Sequence, residues 1–220
     1  MQAPSPVAPE GFWKSFMHEL AVQRWDDHRY YHQSRINQSL HFLSSISFLV
    51  AYAMLFVNPG VAALLGWMVG MVSRQSGHFF FEPHAYDHVN NATHEHKEDI
   101  KVGYNLQRKR VLHAIWAAIP VVLYFDPTLF GTMAAYTSLE GFLNNMAIAW
   151  LVLGVAALLF RTIHLFFIHN VKTGITWFTK ILTDPFHDFK TYMKAPYYLF
   201  VKRELFDPMN HVEDYEEAVA

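Results

Sequence analysis

The chain contains no cysteine, which excludes a disulfide frame, a thiolate metal site and a cysteine nucleophile. Charge is scarce as well. Asp, Glu, Lys and Arg together make up 16% of the residues, against roughly 25% in an ordinary soluble domain. The formal net charge of −2 gives no basis for nucleic acid as a partner. Nor does the N-terminal "MQAPSPVAPEGFWKSF" carry the apolar core of a signal peptide; it reads as a flexible leader over residues 1–10.

What is abundant is apolar and aromatic. Hydrophobic residues reach 52%, with 19 Phe, 11 Tyr and 6 Trp, a composition suited to a membrane interface. Four segments stand out: Leu40–Val57, the run "VAALLGWMVGMVS" that follows Asn58–Gly60, Val111–Phe125 and Phe142–Phe160. The first and last approach the roughly 20 residues a membrane span needs; the middle two are shorter. Lys and Arg are absent from the two turns that would lie on the far side, residues 58–60 and 126–141. That asymmetry places both termini and the 74–110 loop in the cytoplasm. A soluble bundle with apolar core helices has no reason to sort its charges in this way. The expected fold is therefore all-α: an integral membrane protein of about four transmembrane helices, paired as two hairpins, with interfacial helices added.

An amphipathic helix over residues 11–34 precedes the first span, so the helical transmembrane domain covers 11–170. The segment 171–210 alternates lysines with aromatics and is divided by Pro185, Pro196 and Pro208, as expected of short interfacial helices. An acidic tail, 211–220, closes the chain.

Fourteen histidines are the other excess, and all lie toward the cytoplasmic ends of the apolar segments. With no thiolate, a metal site must use nitrogen and oxygen donors, for which non-haem iron is a natural occupant and other divalent metals are possible. His32 and His41 are nine residues apart, a rotation of about 900° on a continuous helix, which would point them to opposite sides. They can share a site only if the helix breaks between them, for example near Asn37. His78 and Glu82 have i,i+4 spacing and can approach one ion from one helical face. His84 and His88 have the same spacing, while His94 and His96 share a face only in extended backbone; these four are weaker candidates. Lone interfacial histidines often act only as anchors or capping donors. Clustering beside the end of a span is what favours a site.

The pair "YH…N…H" followed by "GH…E" resembles the metal-dependent 2-hydroxy fatty acid dioxygenase family, small membrane proteins related to the fungal enzyme of phytosphingosine breakdown. The matching positions are Tyr31, His32, Asn37 and His41, then Gly77, His78 and Glu82, within a stretch covering residues 28–85. Where the family carries Gly-x-Pro after its second histidine, this chain has "FLSSISF", and its Gln75 stands one position away from the family's glutamine. The resemblance implies ferrous iron, molecular oxygen and a long-chain acyl substrate shortened by one carbon. His32, His41 and His78 would then hold the metal, with Glu82 or another histidine, and Asn37 would contact the substrate; apart from the resemblance, Arg35 and Arg74 offer the positive charge that a substrate carboxylate needs.

Two other functions compete. One is a non-catalytic subunit of a larger membrane assembly, with pigment- or haem-containing assemblies among the options. The other is an atypical membrane di-iron hydroxylase or desaturase, although no two histidines are adjacent anywhere in the chain, as the usual boxes of those enzymes require.

Overall fold

Small polar residues mark where the helices begin. In a computed structural model that describes residues 3–5 and 11–209, side chains of Ser34, Asn58, Thr93, Asn105, Ser138 and Asn170 each accept a hydrogen bond from a backbone N–H in the first helical turn. Such caps satisfy amides that have no partner inside the helix. Among the described residues the chain is all-α, with isolated bridges and no β-strand. The acidic tail lies outside the described residues, as does most of the leader.

Helices α1 (Phe12–Tyr31) and α2 (Arg35–Met54) are separated by a short break. The expected helix over 11–34 thus ends earlier, because Ser34 starts a new helix. Next comes one long helical rod: α3 (Pro59–Leu64), a π-helical stretch (Leu65–Met71) and α4 (Val72–Phe80). Gly66 and Gly70 in the π-helical stretch give Phe48 of α2 room to pack; a Cβ on Gly70 would stand 2.9 Å from its ring. α5 (His94–Ile100), α6 (Leu106–Phe125), α7 (Leu139–Ile168), α8 (Val171–Tyr192) and α9 (Ala195–Phe200) follow.

α2 lies at the centre, packed against α8, α4, α9 and the π-helical stretch, while α7 packs on α8, α3 and α6. Three tryptophans join the π-helical stretch to α6 and α7. Trp67 donates to the Trp150 carbonyl at 2.8 Å, and Trp150 to that of Trp116 at 3.0 Å, with the Trp116 and Trp150 rings stacked at 5.0 Å. Trp67 and Trp150 thus contribute large apolar area while satisfying their indole N–H groups.

Each of the four apolar segments forms helix, but only α7 among the described helices is long and apolar enough to cross a membrane. α2 carries Asn37, Gln38, His41 and several serines, α6 opens on the basic Arg108–Arg110, and the second segment is interrupted by the π-helical stretch.

The 171–210 segment differs from its expected division into short pieces. α8 runs unbroken for 22 residues through Pro185 and buries Trp177, Lys180, Asp184, Asp188 and Tyr192. Packing against α1, α2 and α7 holds it, an example of tertiary contacts overriding a local helix-breaking preference.

Candidate metal centre

The break between α1 and α2 builds the site. Ending a helix leaves its last carbonyls without partners. Here the Asn37 side-chain amide donates to the Tyr31 carbonyl at 2.7 Å and that of Gln38 to the His32 carbonyl at 2.8 Å. The chain near the C-terminus secures the junction from outside: Arg35 N–H donates to Leu205 O, and Asp207 N–H to Gln33 O. The break therefore falls at His32–Ser34 rather than near Asn37, and it turns His32 back toward His41. Their ring centroids lie 4.0 Å apart, with His78 of α4 at 5.3 and 5.0 Å from them.

These three imidazoles are 2%, 0% and 7% exposed, and one nitrogen of each lies within 4.8 Å of those of the other two. Each also has an outer partner. His32 Nδ1 meets the Tyr192 hydroxyl at 2.8 Å, His41 Nδ1 meets Asp188 Oδ2 at 3.3 Å, and His78 Nδ1 meets Glu82 Oε2 at 2.8 Å. An ionised carboxylate only accepts, so opposite ionised Asp188 and Glu82 the proton of His41 and of His78 sits on Nδ1 and the Nε2 lone pair stays free. Nε2 of both His32 and His41 is buried without a hydrogen-bond partner. Leaving such atoms unsatisfied costs free energy, which an ion between them would recover. Orientation of ligand imidazoles by hydroxyl or carboxylate partners is also how protein metal sites are usually supported. The cluster is able to hold a metal ion.

Electrostatics keep the donors neutral. Burial, assisted by neighbouring His41 and Arg74, holds His32 well below the ordinary histidine pKa; burial with Lys109 and His41 does the same for His78. A neutral imidazole is the form that binds metal. Burial raises the Glu82 carboxyl above its usual range, against the opposing pull of Lys101 and Lys109.

Behind the histidines lies a buried ionic network. Arg74 donates to Asp188 at 2.8 Å and contacts Asp184 at 3.5 Å. Lys180 contacts Asp184 at 2.8 Å and also pairs with Asp27, while Arg24 reaches Asp184 at 3.4 Å. Burial disfavours the Lys180 charge, but Asp184 and Asp27 outweigh it and lift its pKa above the lysine range.

The other expected site residues have different places. Glu82 is committed to His78, with Lys101 at 3.8 Å from its other oxygen; it stands behind a ligand. Asn37 is a joint in the α1–α2 break, and its Oδ1 lies where a side chain on Gly77 would be. Arg35 turns away to Asp207, Glu204 and the Tyr198 ring. Arg74 does line a cavity beside the site, but its charge is met by two aspartates. His84 and His88 lie in non-helical chain and are exposed, so their expected helical pairing does not form. His84 packs on His94 and His88 on Tyr86. His94 and His96 both lie in α5, where neighbours two apart diverge.

Sequence reasoning missed Asp184, Asp188 and Tyr192. Their i,i+4,i+8 spacing in "TDPFHDFKTY" is a helical stripe, hidden by treating Pro185 as a boundary.

Beside the histidines lies a cavity of ≈ 390 Å³, within the range of small-ligand sites. His78, Arg74 and Tyr31 line it together with the apolar Phe48, Leu55, Trp67 and Leu151. Comparisons of the chain with protein families, curated proteins and solved structures return no match.

Proposed function

We propose that the protein is a membrane-embedded non-haem iron oxygenase acting on a lipid-derived substrate, with α-oxidation of a 2-hydroxy fatty acid as its reaction. The observation that carries this reading is the opening of a buried, neutral three-histidine cluster, through His78, onto a largely apolar cavity. Three imidazoles leave coordination positions free, as an oxygen-using centre needs. Zinc or manganese could use the same nitrogens; the choice of iron comes from the resemblance carried by Tyr31, His32, Asn37, His41, Gly77, His78 and Glu82. Ferrous iron, when bound, supplies the chemistry with molecular oxygen.

The chain's own residues supply the rest. His32, His41 and His78 hold the ion, and Tyr192, Asp188 and Glu82 fix the rings. Burial excludes bulk water. Phe48, Leu55, Trp67 and Leu151 offer a wall along which an alkyl tail can lie, at roughly 0.8 kcal/mol per buried methylene.

Membrane residence is supported by α7. Only 17% of its most apolar stretch is buried within the protein, unlike a soluble core helix. Phe125, Phe160 and Phe167 also face outward. With the lysine and arginine asymmetry, this favours two hairpins with both termini cytoplasmic.

The test is metal content and turnover. Protein purified from membranes should carry about one iron, lost in His78→Ala with helix content retained. Membranes bearing wild-type protein should consume oxygen with a long-chain 2-hydroxy acid and release the acid one carbon shorter. Protein that takes up no iron, zinc or manganese would point instead to a structural subunit of a membrane assembly.

A further inference from the structure

Four cations line the cavity next to His78: Arg74, Lys101, Lys109 and Lys180. Three of them are neutralised. Arg74 contacts Asp188 and Asp184, Lys180 pairs with Asp27 and Asp184, and Lys101 lies 3.2 Å from Glu98 and 3.8 Å from Glu82 with its ammonium over the Tyr31 ring. Lys109 is different. Its backbone makes helical hydrogen bonds, but its ammonium has no carboxylate in ion-pair range and no hydrogen-bond acceptor among the described residues.

An ammonium in such a place is costly. Burial, with Lys101 close by, outweighs the longer-range attraction of Glu82 and Asp27 and pulls the Lys109 pKa down to about 7. Folding gains nothing from a partly buried lysine without a partner, so its countercharge is to be sought in a ligand. Its position on α6 fits that role. Lys109, Leu112 and His113 are spaced i, i+3, i+4 and all line the cavity, so one helical stripe presents a cation followed by an apolar residue. Phe48, Leu55, Trp67, Met71 and Leu151 give the same cavity an apolar wall.

We infer that Lys109 holds the carboxylate of a long-chain acid whose tail lies along this wall, and that it makes the site select acids over uncharged lipids of equal length. A bound carboxylate supplies the negative charge that Lys109 lacks at close range and favours its protonated form. The inference rests on the lipid-substrate reading of the site and names the residue that recognises the head group.

Binding to full-length protein in detergent, by displacement of a fluorescent fatty acid, tests it without turnover. Palmitic acid and hexadecanol share one tail and differ in charge. Wild-type protein should prefer the acid, and Lys109→Met should weaken acid binding by about tenfold or more, the scale of a charge-assisted hydrogen bond. Hexadecanol affinity should be unchanged in that variant, which also shows that it is folded, and Lys109→Arg should keep the preference. Equal wild-type affinity for acid and alcohol, or undiminished acid binding by Lys109→Met, overturns the role of Lys109 while leaving a lipid site. Binding of neither lipid by wild-type protein removes the lipid-substrate reading itself. If Lys109→Met does not fold, the wild-type comparison and Lys109→Gln decide the matter.

Discussion

Asn37 occupies the space that a side chain on Gly77 would need. A Cβ there would stand 2.0 Å from Asn37 Oδ1, and Asn37 cannot retreat without releasing the Tyr31 carbonyl that closes α1. Gly77→Ala should therefore destabilise the protein by about 1–3 kcal/mol through overpacking, seen as a lower melting temperature in detergent. Adding Asn37→Ser should return part of the loss. Tyr192 is as exacting a position. Its hydroxyl lies 2.8 Å from His32 and 3.2 Å from His28, so Tyr192→Phe should lower metal affinity about 10–100-fold with little change in helix content. Titration with cobalt(II) measures this, and His88→Ala, away from the site, is the silent control. The neutral histidines also set a pH dependence. As pH falls through about 6.5 the unfolded chain protonates His32 and His78 first, because their native pKa values are held lower by burial. Stability of the metal-free protein should thus be full above that pH and fall below it, toward the native pKa values, by up to about 1.4 kcal/mol per pH unit for each histidine. Denaturant midpoints between pH 5 and 8 provide the check; a flat profile would contradict the assignment of these imidazoles as buried and neutral.

α8 connects three parts of the molecule through one stripe. Lys180, Asp184, Asp188 and Tyr192 recur every four residues, pairing with α1 through Asp27 and Arg24, with α4 through Arg74, and with the histidines of the site. Asp188→Ala removes the nearer carboxylate of Arg74 and the acceptor of His41 together. Leaving a buried charge so poorly paired should cost about 3–5 kcal/mol, whereas Lys190→Ala on the exposed side of the same helix should cost little. Chemical unfolding of the two variants separates these outcomes. The aspartate–tyrosine stripe was present in the sequence at helical spacing. It was obscured because Pro185, judged locally, divides the segment, while the helix continues through it under the packing of α2 and α7.

At the scale of the whole molecule the polar site and the apolar surface are segregated. The histidines and their ionic partners gather around the α1–α2 break, while α7 carries a long apolar surface outward. For the two-hairpin arrangement, Asn58 and Thr93 should lie on opposite sides of the membrane. The chain has no cysteine of its own, so single cysteines placed at these positions can be labelled in intact cells without background. Asn58→Cys should react with an impermeant reagent from outside, and Thr93→Cys only after permeabilisation; labelling of both from the same side rejects this topology.

Much of this protein follows from rules that act within a few residues. Ser34, Asn58, Thr93, Asn105, Ser138 and Asn170 start helices because a short polar side chain reaches its own helix's free amides. The absence of cysteine removes thiolate from any metal donor set, and the spacing of His78 and Glu82 places them on one helical face. Tertiary structure decided what those rules do not reach. Whether His32 and His41 meet depends on a break secured by Gln38, Asn37 and residues 205–207. Arg35 is removed from the site by Asp207, and His84, His88 and His96 by a loop and helix that lead them outward. The partners that orient His32 and His41 lie 160 and 147 residues away along the chain, a separation that no local pattern spans and only the packing of α8 against α2 closes.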